Sequence, residues 1–134
     1  MNITKTELDI GLGREVRLLH VTDIHFAYAD ERDDERKRKL AEHRRREFEV
    51  KGSSFEMMKR FARYAGEHCD ILAHTGDIID FLSHLNLEKA AEALAGTDYI
   101  MTAGNHEFSK YVGEAWEDEA YKLDTYSFVQ YFFK

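Results

Sequence analysis

Three short apolar segments, each ending in a polar motif, most strongly constrain how this chain can fold. Short and nearly continuous apolar runs are typical of strands that are covered on both faces. Helical patterns lie between these segments, and alternating strands and helices predict right-handed crossovers and a mainly parallel sheet. We therefore predict an α/β fold with flanking helices and with strands near 16–21, 71–75 and 99–103.

Capping patterns locate two helices. Ser53 with Glu56 three residues later forms a capping box, and apolar residues then recur on one helical face, which predicts a helix near 54–66. Asn86 is a candidate cap for a second helix near 87–95.

Both ends of the chain have less distinct patterns. Residues 5–10 alternate between polar and apolar, which predicts a half-buried strand. Residues 116–123 fit a short acidic helix. Residues 125–133 are apolar enough to need burial, but their spacing does not separate helix from strand.

A highly charged stretch covers residues 30–51, with nine Lys or Arg and eight Asp or Glu. Acidic residues precede basic residues by four positions at several places, which supports an exposed helix. One interpretation is a substrate or nucleic-acid surface around Arg44, Arg45 and Arg46; the other is a solvated helical insert. The close alternation of signs favours the solvated helix, and a supporting role in closing over substrate stays open.

Composition narrows the class of protein. A chain of 134 residues with 43% hydrophobic and 13% aromatic residues fits one globular domain. The net charge of −7 does not indicate nucleic-acid binding. The single cysteine, Cys69, excludes an internal disulfide framework and fits a reducing compartment. No signal-peptide or membrane-spanning pattern is evident, so we expect a cytoplasmic protein without membrane contact.

Each of the three polar motifs carries groups that bind metals. They are Asp23-Ile24-His25, Gly76-Asp77-Ile78-Ile79-Asp80 and Gly104-Asn105-His106-Glu107. In an open parallel sheet, loops at the carboxyl ends of strands collect functional groups, so these motifs are expected to converge. Carboxylate, carboxamide and imidazole ligands without a thiolate favour manganese, iron or zinc. Two such ions about 3.5–4 Å apart can clamp a phosphoryl oxygen and activate water.

The three motifs in this order resemble the N-terminal half of the calcineurin-like metallophosphoesterases, a superfamily of dinuclear-metal phosphatases. The resemblance extends from about Arg14 to the end of the chain. It implies the first half of a four-layer α/β/β/α sandwich, here a single incomplete domain over residues 1–134 with the charged insert at about 30–51. The implied activity is hydrolysis of a phosphomonoester or phosphodiester by water activated at two divalent metal ions.

The resemblance also implies a role for each motif residue. Asp23 and His25 would bind the first metal, Asp77 would bridge both metals, and Asn105 would bind the second. His106 would contact the phosphate and stabilise or protonate the leaving group.

Five other residues are given supporting or structural roles. Asp80 and Glu107 would lie behind the ligands and orient neighbouring histidines or waters, again by resemblance. His20 and His74 lie within strand patterns and are interpreted as structural histidines, and Cys69 as a small buried residue.

Further metal ligands of the family have no counterpart in this chain. Members continue to another histidine and a Gly-His-x-His motif, whereas no histidine follows Glu107. The favoured explanation is a piece of a longer gene product; completion by a second polypeptide and loss of activity are alternatives. We expect residues 1–134 alone to bind metal weakly or not at all, hydrolyse phosphoesters negligibly and self-associate through exposed sheet or the aromatic C-terminal segment. The competing function is a non-catalytic interaction module.

Overall fold

A three-stranded parallel sheet forms the centre of the protein. The computed structural model describes residues 3–112. The strands are β1 (Leu18–Val21), β2 (Ile71–His74) and β3 (Tyr99–Met101), in the order β1-β2-β3. The helices are α1 (Glu35–Phe48), α2 (Ser54–His68) and α3 (His84–Leu94), with 3-10 turns at Glu49–Lys51 and His106–Phe108. The predicted α/β fold is therefore confirmed.

Helix capping agrees with the sequence for α2 but not for α3. The Ser53 side chain accepts a hydrogen bond from the Glu56 N–H, as predicted. The predicted cap at Asn86 is wrong, because Ser83 caps α3 and accepts from the Asn86 N–H. The Asn86 side chain is instead buried and accepts from the Tyr28 N–H at 2.6 Å. An asparagine was needed inside the first turn to satisfy a buried loop amide.

The core lies between one face of the sheet and the pair α2 and α3. Its completely buried side chains include Met58 from α2, Leu72 from β2 and Leu87 from α3. Burial of large apolar side chains of this kind stabilises a fold by roughly 1.5–3 kcal/mol each. This packing fixes the direction of the strands and therefore the edge of the sheet at which the polar motifs meet.

The other face of the sheet is left open by the described residues. Leu18 on β1 is 53% exposed and Ile100 on β3 is 55% exposed. Both belong to the pleat that also carries Ala73 in the middle strand. Among residues 3–112, β1 and β3 each have one neighbouring strand, so the outer side of both strands is unpaired.

The predicted strand at residues 5–10 is wrong. These residues are exposed and pair with no strand of the described part. The alternation of side chains was real, but Leu8 and Ile10 remain 81% and 72% exposed because no described element covers them. The predictions for 116–123 and 125–133 lie outside the described residues. None of the described helices is long and apolar enough to cross a bilayer.

Candidate metal centre

The loops after β1 and β2 run side by side beyond the ends of their strands. The Asp23 N–H donates to the Gly76 carbonyl at 3.2 Å, and the His25 N–H donates to the Asp77 carbonyl at 3.0 Å. The parallel pairing of the two strands therefore continues into the motifs. This pairing brings the first two motifs together at one edge of the sheet, where the sequence predicted them to converge.

Three candidate ligand residues share a backbone conformation that side chains disfavour. Asp23, His25 and Asp77 have φ angles of 55°, 52° and 56°, and they are the non-glycine residues with positive φ in residues 3–112. Such a conformation costs roughly 1–2 kcal/mol per residue. Strained residues of this kind are concentrated at functional sites, where the direction of the side chain matters more than the conformational energy of the backbone.

One group of potential ligand atoms is assembled among the described residues. His25, Asp77 and His106 each place one ligand atom within 4.8 Å of the others. Two imidazoles and a carboxylate are a donor set that fits a divalent transition metal. Asp23 adjoins the group, with its Oδ1 3.6 Å from the His25 Nε2. Asn105 directly precedes His106, at the start of the 3-10 turn.

Asp80 contacts both histidines of this group. The His106 Nδ1 lies 2.6 Å from the Asp80 backbone carbonyl, and the His25 Nδ1 lies 3.2 Å from the Asp80 Oδ1. A carbonyl oxygen and a carboxylate can only accept, so each Nδ1 is the donor. Each Nε2 therefore keeps a lone pair that could bind a metal ion or take up a proton. The structure thus places Asp80 beside both histidines, and its orienting role stays a prediction.

Charges around Asp80 shift the pKa values of the site. Burial alone would raise the pKa of Asp80, but hydrogen bonds from His25 and Arg44 outweigh it and lower the pKa. Burial lowers the pKa of His25, yet the hydrogen bond and charge of Asp80 outweigh it, so the pKa is raised overall. A hydrogen bond from the Thr22 hydroxyl lowers the pKa of Asp23. Both carboxylates are thus ionised at neutral pH.

Glu107 fastens the second motif to the third. Its buried carboxylate accepts from the N–H groups of Asp77 at 2.8 Å, Ile78 at 2.8 Å, Ile79 at 3.3 Å and Gly104 at 2.6 Å. Burial raises the pKa of Glu107, and these donors oppose the rise. The sequence analysis expected Glu107 to orient histidines or waters. In the structure, the hydrogen bonds of its carboxylate go to backbone amides.

Two glycines let the second and third motifs touch. A Cβ on Gly104 would lie 2.2 Å from the Asp77 Oδ1, which no relaxation of a fixed carboxylate could accommodate cheaply. Gly76 has a φ of 104°, and a Cβ there would lie 2.7 Å from the Gly104 nitrogen. The Asp77 Oδ1 also accepts from the His106 N–H at 3.0 Å. The close approach therefore depends on both glycines.

Comparison with known proteins decides what this site belongs to. Residues 16–133 match the family model described as calcineurin-like phosphoesterase. The chain belongs to this family. No curated protein and no solved structure matches the chain significantly. Membership supports a hydrolase of the phosphoesterase type in general, and the α/β sheet is consistent with the N-terminal half of a metallophosphoesterase. The family typically depends on two metal ions.

His20, His74 and Cys69, which the sequence predicted to be structural, lie outside the group of candidate ligands. His74 is 1% exposed, and its Nδ1 accepts from the Gly76 N–H at 3.3 Å, while its Nε2 has no hydrogen-bond partner among residues 3–112. Burial lowers the pKa of His74 to about 4. His20 pairs with the Thr75 hydroxyl at 2.7 Å. Cys69 is half-buried rather than buried.

Two residues of α1 contact the candidate site; the sequence placed Arg44 only in the less favoured surface interpretation and gave no role to Phe48. Arg44 binds the Asp80 carboxylate through two hydrogen bonds, and the Phe48 ring stacks on His25 with 5.1 Å between ring centroids. The available signal was spacing, because Ala41, Arg44 and Phe48 follow a helical i, i+3, i+7 pattern. The surrounding charges concealed this narrow inward face.

Proposed function

We propose that this protein is a metal-dependent phosphoesterase that hydrolyses a phosphomonoester or a phosphodiester. The observation that carries the proposal is the convergence of His25, Asp77 and His106, with both imidazoles turned so that Nε2 is available. Family membership supports the reaction type. Substrate would bind at the edge of the sheet where the three motifs meet.

The proposed metal ligands are Asp23, His25, Asp77 and Asn105, with Asp77 shared between two ions. Bound divalent ions would polarise the phosphoryl oxygen and lower the pKa of the attacking water. The protein contributes a fixed set of ligands, since Asp77 is hydrogen-bonded to the His106 N–H and His25 is held by Asp80. The absence of thiolate from this set supports manganese, iron or zinc.

His106 is proposed to act on the leaving group. Its Nδ1 donates to the Asp80 carbonyl, so its Nε2 can hold a proton and pass it to the departing oxygen. Its proximity to His25 and Asp77 also suits a metal ligand, and one variant separates the two roles. His106→Asn should leave manganese affinity within about threefold of wild type if His106 serves the leaving group, and reduce it about tenfold or more if it is a ligand.

The decisive test combines metal content with turnover. The wild-type chain is purified, its metals are measured by elemental analysis, and p-nitrophenyl phosphate and bis-p-nitrophenyl phosphate are assayed with manganese. Asp77→Asn should reduce metal binding, and in a protein that carries the family's remaining ligands it should lower turnover by several orders of magnitude, because the bridge is lost. Asp98→Asn, at an exposed position away from the motifs, is the matched control. Equal metal binding and turnover in both variants would refute the proposed site.

A second candidate function, a non-catalytic interaction module, is favoured by the open face of the sheet. Exposed Leu18 and Ile100 are available for association. We also expect weak or no metal binding and negligible hydrolysis by residues 1–134 alone, since one group of three candidate ligands is assembled within residues 3–112. Metal content and turnover, measured in a protein that carries the family's remaining ligands, separate the candidates: metal with turnover supports the enzyme, and neither supports the module.

A further inference from the structure

We propose that α1, the charged insert, is a positioning element of the metal centre, acting through Arg44 and Phe48. The inference rests on the proposed function and extends it to a helix outside the three motifs. Arg44 would hold the Asp80 carboxylate, and Asp80 would in turn hold the two imidazoles. Phe48 would limit rotation of the His25 ring.

The contact between Arg44 and Asp80 is a two-point contact. The Arg44 Nε donates to the Asp80 Oδ2 at 2.7 Å, and the Arg44 NH2 group donates to the Asp80 Oδ1 at 3.0 Å. Two parallel hydrogen bonds from a planar guanidinium fix the plane of a carboxylate, whereas a single contact leaves it free to rotate. The carboxylate that this fork fixes is the one that receives the His25 Nδ1–H.

Burial makes this contact more than a surface ion pair. The Asp80 side chain is fully buried and the Arg44 side chain is 22% exposed. A buried carboxylate without a cation is strongly disfavoured, so Arg44 both compensates the charge of Asp80 and sets its direction. His106 shares this support, with its Nδ1 3.4 Å from the Asp80 Oδ1.

Phe48 provides a second connection from α1 to the site. Its ring is stacked on His25 with an angle of 16° between the ring planes. The guanidinium carbon of Arg44 lies over the Phe48 ring, 4.5 Å from its centroid. Phe48 and Asp80 therefore restrain His25 at its ring face and at its Nδ1.

Apolar contacts dock α1 beside the site. Ala41 is buried in a cluster with Ala27 and Phe81, and Leu40 packs against this cluster. The outer face of the helix carries ordinary ion pairs, such as Lys39 with Glu35 at 2.6 Å. Such pairs contribute only a few tenths of a kcal/mol to an isolated helix. The contacts of α1 with His25 and Asp80 are those of Arg44 and Phe48.

Imidazole spectroscopy and manganese titration test the inference in the whole 134-residue chain. In long-range ¹H–¹⁵N spectra, His25 and His106 of the wild type should show the Nδ1–H tautomer. Arg44→Gln should convert His25 to mixed tautomers and weaken Mn²⁺ binding about tenfold or more, whereas His106, whose Nδ1 donates to the Asp80 backbone carbonyl, should keep its tautomer. Arg46→Gln, which removes an exposed arginine from the same helix, should match the wild type in both measurements. Phe48→Leu should give a smaller loss in the same direction.

A conservative variant keeps the test decisive if Arg44→Gln does not fold. Arg44→Lys retains a cation beside Asp80 but lacks the planar fork, so it should fold and still show mixed tautomers. Unchanged tautomers and unchanged Mn²⁺ affinity in the folded Arg44 variant would overturn the inference. If the 134-residue chain, with its incomplete ligand set, binds no Mn²⁺, the tautomers alone decide whether Arg44 positions His25, while the Asp77 variant tests the proposed function.

Discussion

Positive φ at Asp23 predicts an unusual order of stability among its variants. Glycine adopts this conformation freely, whereas alanine carries the full steric cost. We expect Asp23→Gly to be more stable than Asp23→Ala by about 1 kcal/mol, as measured by chemical denaturation. Both variants should lose the Asp23 ligand and bind manganese equally poorly.

The same pair of substitutions in a helix provides the control. Glu92 is exposed within α3, where glycine should be less stable than alanine by about 1 kcal/mol. If Asp23→Ala proved more stable than Asp23→Gly, the backbone at Asp23 would not carry the strain described above.

At the scale of elements, Glu107 is the connection between the loops after β2 and β3. Each of its carboxylate oxygens accepts two backbone N–H groups, and glutamine would present an NH₂ group to one of these pairs. We expect Glu107→Gln to lower the free energy of unfolding by about 2–4 kcal/mol, since buried donors are left unpaired. The exposed Glu67→Gln should stay within about 0.5 kcal/mol. A Glu107→Gln variant as stable as Glu67→Gln would contradict this.

The elements that the sequence predicted are those whose local signals and tertiary contacts agree. The strands and α2 have clear periodicity, and Ser53 caps α2 as its pattern indicates. The start of α3 was displaced because a buried Asn86 resembles a cap, although Ser83 performs that task. The strand at residues 5–10 failed because alternation does not supply a partner strand.

The candidate site was predictable only where it depends on topology. Parallel strands bring their following loops to one edge, so the meeting of His25 with Asp77 follows from the order of the elements. The contact between Arg44 and Asp80 joins residues 36 positions apart through the docking of a helix. No local pattern specifies how a charged helix is placed against a sheet, so this contact required the structure.

At the scale of the whole molecule, buried His74 makes stability depend on pH. Its pKa is about 4 in the folded protein against an ordinary value of 6.5. Between these values the unfolded chain binds a proton that the folded protein does not, so stability falls as pH decreases from 6.5 towards 4. The loss should reach about 3 kcal/mol at the lower end.

Denaturation at pH 7 and pH 4.5 isolates this contribution. His74→Leu should lose about 2–3 kcal/mol less than the wild type between the two pH values, whatever its stability at pH 7. His68→Gln, which changes an exposed histidine at the end of α2, should keep the wild-type dependence. Identical pH dependence in His74→Leu and the wild type would show that His74 is not held neutral.

The carboxylate of Glu107 also has a consequence for the order of events during folding. The amides that it accepts from in the second motif lie 28 to 30 residues earlier in the chain. On a ribosome those amides emerge first and remain hydrated until Glu107 arrives. The loop after β2 therefore cannot complete its hydrogen bonds when its own strand forms, but only when the turn beyond β3 has formed. We expect the hydrogen bonds of Glu107 to form after the folding transition state. In refolding kinetics, Glu107→Gln should therefore mainly accelerate unfolding and leave the folding rate nearly unchanged.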